Sequence, residues 1–134
     1  MKLDQIERRL AGITAQPFRA HFHLRETERR YLESRGMDTI RRHADDFISR
    51  RLAPAHPNRD GQQTPWGGHP VFRAQHATAT CCRGCLETNH HLARGRELDE
   101  QARAYVVEVI CRWIEAEYDA AVPEPPLTTQ PRLF

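Results

Sequence analysis

The sequence predicts a mainly α-helical protein, a small single domain with a long central loop organised by a cysteine–histidine metal site. Apolar residues recur at spacings of three and four near both ends of the chain, and this periodicity disappears between Ala53 and Gly68. Three cysteines and four histidines then follow between Gly68 and His91. We expect residues 1–121 to form one helical metal-binding domain and the proline-rich residues 122–134 to form a disordered tail.

Three helices are predicted in the first half of the chain. The first spans residues 3–13, where the apolar side chains form one stripe. The second spans residues 27–35 and is closed by Gly36, since glycine accepts the left-handed conformation at a helix end. The third spans residues 37–52, and Asp38 is the expected N-cap.

The central and C-terminal segments differ in the clarity of their patterns. Residues 53–68 are rich in proline, glycine and small polar residues, which predicts a loop of unusual length that binds a ligand or is disordered. Residues 69–77 fit either a short helix that begins at Pro70 or a short strand. Residues 98–118 carry a wide apolar stripe after an acidic start, so this last helix is the best defined.

Net charge and hydrophobicity indicate where the protein is located more clearly than they indicate its function. The net charge is +2 and the isoelectric point is about 8.5, so no strong overall field requires a nucleic-acid partner. No apolar run approaches the roughly 20 residues of a membrane helix, and the N-terminus lacks the apolar core of a secretion signal. We therefore expect a cytoplasmic protein without a membrane partner. The pattern specifies no oligomeric state.

The positive charge is almost entirely arginine, because Lys2 is the only lysine among 20 cationic residues. The guanidinium fork suits phosphate, which favours a nucleic-acid partner. A genome rich in G and C produces the same bias without any functional cause. The composition therefore leaves both explanations open.

The cysteine cluster predicts a metal site. Cys82 and Cys85 form a C-x-x-C pair, whose two thiolates can face one ion from a tight turn, and His90 follows one turn later. Zinc prefers such ligands and takes four of them in structural sites. The fourth ligand is expected among His69, His76, Cys81 and His91, with His76 favoured.

Two other interpretations of the cluster stay open. The C-x-x-C pair also fits thiol redox chemistry, although the strand–helix context of thioredoxin-like motifs is missing. The thiols could instead fill a core, but polar neighbours argue against this, whereas Cys111 on the last helix is expected to be buried and inert. Zinc is the first choice of metal and iron or an iron–sulfur cluster the second. Three thiolates and one imidazole would leave a net negative charge, which Arg83 could offset.

The run HPVFRAQHATATCCRGCL, with RLAPAHPNRDGQQTPWGGHP before it and ARGRELDE after it, resembles a small bacterial and phage family, domain-of-unknown-function family 4186. The resemblance covers roughly Phe18 to Tyr118. Asn89 stands where the family pattern usually has tryptophan. The family carries no established activity, so the resemblance implies no mechanism. Positions of the family pattern are occupied by His23, His43, His56, His69, His76, Cys81, Cys82, Cys85 and His90.

Three functions follow as hypotheses. The first is a metal-organised nucleic-acid-binding module, the second a metal-dependent hydrolase acting on phosphoesters with surplus histidines as acid or base, and the third a C-x-x-C redox protein. The metal is expected to support folding, so that chelation lowers the melting temperature sharply. The phosphate contacts of the first hypothesis are assigned to Arg73, Arg83, Arg94 and Arg96.

Overall fold

In the computed structural model, residues 3–120 are described; they form six α-helices and contain no strand. The prediction of a small, mainly helical domain is therefore confirmed. The predicted disordered tail, residues 122–134, lies outside the described residues. A 3₁₀ turn at Arg19–His21 follows the first helix, and a π-helical turn at Ile48–Leu52 extends the third. The helices are α1 (Leu3–Thr14), α2 (Glu26–Arg35), α3 (Met37–Phe47), α4 (Pro70–Ala77), α5 (Arg83–His90) and α6 (Glu100–Ala120).

Gly36 forms the junction between α2 and α3. Its φ is +83°, its N–H donates to the carbonyl of Leu32, and the same residue is the N-cap of α3. Only glycine adopts this backbone conformation without strain. The prediction that Asp38 caps α3 was wrong, because one glycine joins the two helices and places Asp38 inside the first turn.

The core lies between α6 and the helices α3 and α4. Ile110 and Ile114 of α6 are fully buried in one cluster with Ile40, Ile48 and Val71. Burial of such side chains contributes roughly 1.5–3 kcal/mol each, so this cluster is the main source of stability. None of the described helices is both long and apolar enough to cross a membrane.

Cys111 lies in the middle of this core and is fully buried, as the sequence predicts. Burial raises the pKa of its thiol to about 11, so the thiol stays protonated at neutral pH. It is therefore a structural cysteine, unlike Cys81, Cys82 and Cys85, which are partly exposed.

The segment that is ambiguous in the sequence, residues 69–77, is helical. The imidazole of His69 caps α4: its Nδ1 accepts the N–H of Val71 at 3.0 Å, and Pro70 occupies the first helical position. Proline at this position loses no helical hydrogen bond, since its missing N–H would have had no partner inside the helix. Helix α5 was not predicted, because its eight residues show no apolar stripe.

Arg83 connects the long loop to the rest of the domain. Its side chain is 1% exposed. Its guanidinium donates to backbone carbonyls from two parts of the chain, the end of the π-helical turn and the segment between α5 and α6. Backbone groups in irregular segments need such partners when they are buried. The acceptors are the carbonyls of Leu52, Ala53, Pro54, Ala93 and Arg96.

Candidate metal centre

Three thiol groups converge at the start of α5. The Sγ atoms of Cys81, Cys82 and Cys85 all lie within 4.8 Å of one another, and the side chains are partly exposed. Cys82 and Cys85 are 3.3 Å apart and Cys81 and Cys85 are 3.7 Å apart. Since a Zn–S bond is about 2.3 Å long, two thiolates on a tetrahedral zinc ion lie about 3.8 Å apart. The separations are therefore close to those that one ion requires. We call these residues the thiol cluster.

The turn that leads into α5 sets the position of the thiol cluster. Ala79 has a φ of +60°, which a non-glycine residue adopts only when its surroundings hold it there. The buried amide of Gln75 donates to the carbonyl of Thr80 at 3.0 Å, and the hydroxyl of Thr64 donates to the carbonyl of Cys81 at 2.8 Å. These hydrogen bonds fix the backbone on which Cys81 and Cys82 stand.

Cys82 is also the N-cap of α5. Its Sγ accepts the N–H of Cys85 at 3.4 Å. The positive end of the helix dipole therefore faces this sulfur. The C-x-x-C spacing thus places one sulfur at the cap and the other in the first turn.

Arg19, from the 3₁₀ turn after α1, supplies a positive charge to the thiol cluster. It donates to Cys85 Sγ at 3.2 Å and to Cys81 Sγ at 3.8 Å, and also to the carbonyl of His76 at 2.8 Å. Three thiolates around a divalent ion leave one net negative charge, which this guanidinium can offset. The sequence suggested Arg83 for that role; its guanidinium instead donates to backbone carbonyls, so Arg19 is the better placed of the two.

Sequence reasoning missed Arg19 altogether. It lies 62 positions before Cys81 and is one of 19 arginines, so neither spacing nor residue type distinguishes it. Only the packing of the 3₁₀ turn against α4 brings it to the sulfurs.

The pKa values of Cys81 and Cys85 are shifted in opposite directions. Hydrogen bonds from the thiols of Cys81 and Cys82, and then the Arg19 guanidinium, lower the pKa of Cys85 well below its ordinary value. Hydrogen bonds to Cys82 and Cys85, together with burial, raise the pKa of Cys81. The lowered pKa of Cys85 and the raised pKa of Cys81 share one cause, which is the close contact of their sulfur atoms.

His90, a predicted ligand, lies outside the group of converging sulfur atoms. Its Nε2 is 2.7 Å from the carbonyl of Thr78 and must donate to it, while Nδ1 is 2.7 Å from the hydroxyl of Tyr105. The side chain is buried, which lowers the pKa of its imidazole. Both ring nitrogens are thus engaged, and in this position His90 offers no lone pair to a metal.

His76, the favoured fourth ligand, also lies outside the group of sulfur atoms. Its Nε2 donates to the carbonyls of Thr64 and Pro65, at 3.3 and 3.0 Å, and its ring stacks on Trp66 with centroids 4.2 Å apart. Within residues 3–120, its Nδ1 has no hydrogen-bond partner. The prediction that His76 completes the site stays a prediction.

His69 belongs to a different group of side chains. Because its Nδ1 accepts the N–H of Val71, the neutral ring carries its proton on Nε2, which donates to Nδ1 of His43 at 3.0 Å. Burial, and then His43, lower the pKa of His69 to about 4. His69 therefore caps a helix and pairs with another histidine instead of facing the thiol cluster. His91, the other candidate, is exposed at the end of α5 and also lies outside the sulfur group.

The family model described as "Domain of unknown function (DUF4186)" matches residues 6–115, most of the chain. The protein belongs to the DUF4186 family. This confirms the resemblance noted in the sequence. No solved structure matches the chain. The family description names no activity, so the function of this DUF4186 protein has to be inferred from its geometry.

The four arginines predicted to contact phosphate divide into two pairs. Arg83 is buried, and Arg73 is held by the buried carboxylate of Glu28, which its Nε contacts at 2.9 and 3.1 Å. The guanidinium of Arg83 is used inside the protein and Nε of Arg73 is engaged by Glu28, which argues against both as phosphate contacts; their assignment stays a prediction. Arg94 and Arg96 are exposed and remain candidates.

Proposed function

We propose that this DUF4186 protein is a zinc-binding protein in which the thiolates of Cys81, Cys82 and Cys85 hold one ion. One observation carries the proposal: three partly exposed sulfur atoms, all within 4.8 Å of one another, converge beside a cationic side chain. Three thiolates this close together would repel one another in the absence of a cation. A bound cation stabilises all three as thiolates.

The donor set favours zinc among the metals considered. Thiolates are soft ligands that suit zinc and iron and are poor ligands for magnesium or calcium. An iron–sulfur cluster places iron and sulfide atoms between the cysteine sulfurs and separates them more widely than one ion does. The short separations within the thiol cluster therefore support a single ion, with iron as the alternative to zinc.

Elemental analysis of protein purified without added metal tests the proposal. We expect one zinc ion per chain in the native protein and loss of the zinc in Cys85→Ser. Cys111→Ser is the matched control, because it removes a buried thiol outside the cluster and should keep the zinc. Native protein without bound metal, or equal zinc content in both variants, would contradict the proposal.

Nucleic-acid binding is the second candidate, and one surface favours it. Among residues 3–120, Phe18 and Trp66 are the large apolar side chains that stay most exposed, at 54% and 63%, and their rings contact each other edge to face. Exposed aromatic rings near cationic groups can stack on the bases of single strands. Arg94 and Arg96 add exposed positive charge elsewhere on the domain.

Binding of a single-stranded oligonucleotide, measured at several salt concentrations, tests this candidate. We expect affinity to fall steeply with salt and to be lost in Trp66→Ala. Binding that is independent of salt, or unchanged in Trp66→Ala, would remove the candidate. Thr88→Ala, on the exposed face of α5, is the control variant.

The two other hypotheses receive unequal support. A redox role is supported by the 3.3 Å between the sulfurs of Cys82 and Cys85, and a reversible disulfide between them is its test. A phosphoester hydrolase needs an acid or base beside the ion. The ring nitrogens of His69 and His90 are engaged elsewhere, so the geometry favours this hypothesis least.

A further inference from the structure

Three thiolates leave one position of a tetrahedral ion for another ligand. In residues 3–120, the group of metal-binding side chains that converge on one point contains Cys81, Cys82 and Cys85 only. Structural zinc sites are closed by a fourth protein ligand, whereas reactive sites keep that position for solvent or substrate. The identity of the fourth ligand therefore decides which kind of site this is.

The hydrogen bonds of the imidazoles argue against a closed site. Both ring nitrogens of His90 are engaged, and both ring nitrogens of His69 are engaged with Val71 and His43. His76 has one nitrogen without a partner, but its other nitrogen and its stacking on Trp66 hold the ring away from the sulfur group. To ligate the ion, His76 would have to break these contacts.

Positive charge surrounds the thiol cluster on two sides. Arg19 contacts Cys85 and Cys81 directly. On the side of Cys82, a β-carbon placed on Gly84 would lie 3.3 Å from Nη1 of Arg94 and 3.9 Å from Cys82 Sγ, so this guanidinium also lies close by. A zinc ion with three thiolates is itself anionic and would repel a further anion. Arg19 lowers that penalty, whereas Arg94 is paired with the carboxylate of Asp60 at 3.3 Å and contributes less.

We propose that the fourth coordination position is open and takes a small exogenous anion with one donor atom, such as a thiolate or hydroxide, stabilised by Arg19. This inference rests on the proposed zinc centre. It goes further, because it makes the centre a ligand-binding site instead of a closed structural one. The partial exposure of all three cysteines gives such a ligand access from solvent.

Cobalt substitution tests the proposal, because Co²⁺ takes the place of zinc and its visible absorption reports the coordination shell. The metal-free protein is loaded with Co²⁺ and then titrated with azide, a small anion, and separately with imidazole, a neutral ligand. We expect both ligands to shift the cobalt absorption bands, each in a saturable manner. Bands that stay unchanged at saturating azide and imidazole would mean that a protein side chain closes the site, and would overturn the proposal.

Two substitutions at Arg19 test its role. Arg19→Gln removes the charge and should weaken azide binding by roughly tenfold while leaving imidazole affinity nearly unchanged. Arg19→Lys keeps the charge and should restore most of the azide affinity. Equal azide affinity in both variants would show that Arg19 does not select the anion. The split between the charged and the neutral ligand separates this role from a merely structural one.

His76→Gln examines the remaining protein ligand. If the fourth position is open, the cobalt bands of this variant match those of the native protein before any ligand is added. A band shift in His76→Gln, together with resistance of the native protein to azide, would place His76 on the metal and overturn the proposal. Failure of the native protein to bind Co²⁺ at all would instead contradict the zinc centre itself.

Discussion

Two buried arginines show how differently one residue type is used in this domain. Arg83 is enclosed by backbone carbonyls from two irregular segments. Arg19 has one carbonyl partner and two sulfur partners. The first guanidinium satisfies groups that folding has buried. The second neutralises groups that folding has left partly exposed and close together.

The comparison separates structural polar groups from functional ones. Around Arg83 nearly every donor has a carbonyl acceptor, so the region gains rigidity and offers nothing to a ligand. Around Arg19 the sulfurs have one another, the guanidinium and a single backbone N–H as partners, an arrangement that an ion or an anion can complete. The histidines His69 and His90 resemble Arg83 in this respect, because their ring nitrogens are all engaged.

The largest expected effect is at Arg83. Arg83→Met removes the donors of several buried carbonyls, and we expect it to destabilise the domain by about 3–5 kcal/mol in urea unfolding. Arg94→Met is the matched control: its side chain is 56% exposed in a surface ion pair with Asp60, and its loss should cost about 0.5 kcal/mol or less. A similar loss of unfolding free energy in both variants would show that the hydrogen bonds of Arg83 to buried carbonyls do not stabilise the domain more than a surface ion pair does.

Acid should weaken the histidine-capped region next. The pKa of His69 lies at about 4, below its ordinary value of 6.5, so the unfolded chain takes up a proton that the folded chain excludes. The contribution of His69 to the free energy of unfolding is therefore fully present above pH 6.5. It is lost as the pH drops toward 4, and the loss is on the order of 2–3 kcal/mol. His76 and His90 act in the same direction, because burial lowers the pKa of each.

Urea unfolding at a series of pH values between 7 and 4 measures this effect. His69→Asn provides the control, since asparagine can cap α4 but does not titrate. The fall in stability toward acid should be smaller in this variant than in the native protein. An identical pH profile would show that His69 is not a source of the acid sensitivity.

Metal removal should have the smallest effect on folding. The three cysteines lie within five consecutive residues, so the unfolded chain keeps part of its affinity for the ion. Chelation should therefore lower the melting temperature by only a few degrees, equivalent to about 1 kcal/mol. The sequence led us to expect a sharp fall, because the short helices beside the loop were expected to have little core of their own. A drop of roughly 15 °C or more would mean that the ion joins separate parts of the fold.

Much of the fold could be predicted because its helices follow the apolar periodicity. The stripe of α6 identified Ile110 and Ile114 as core residues, and both are fully buried. The pattern left α4 open between a helix and a strand and missed α5, because each helix has only eight residues and periodicity has little room to repeat. Cap residues with side chains that bond to the backbone, His69 and Cys82, start these helices instead.

The candidate site was predictable only where its residues are adjacent in sequence. The C-x-x-C spacing of Cys82 and Cys85 predicts a metal site, and Cys81 is the residue next to this pair. Arg19 and His90 could not be assigned, because their roles depend on partners more than ten positions away. His90 matches the sequence pattern of a metal ligand because it follows the C-x-x-C pair by one turn. The pattern does not reveal that its ring is hydrogen-bonded to a tyrosine and a carbonyl.

X-ray absorption at the zinc edge of the purified protein tests the central claim most directly. It reports the number and type of atoms bound to the ion, and the scattering of an imidazole ring distinguishes histidine from solvent. We predict three sulfur neighbours at about 2.3 Å and one light atom that lacks the imidazole signature. Two sulfurs with two imidazoles, or a zinc ion without sulfur neighbours, would contradict the account.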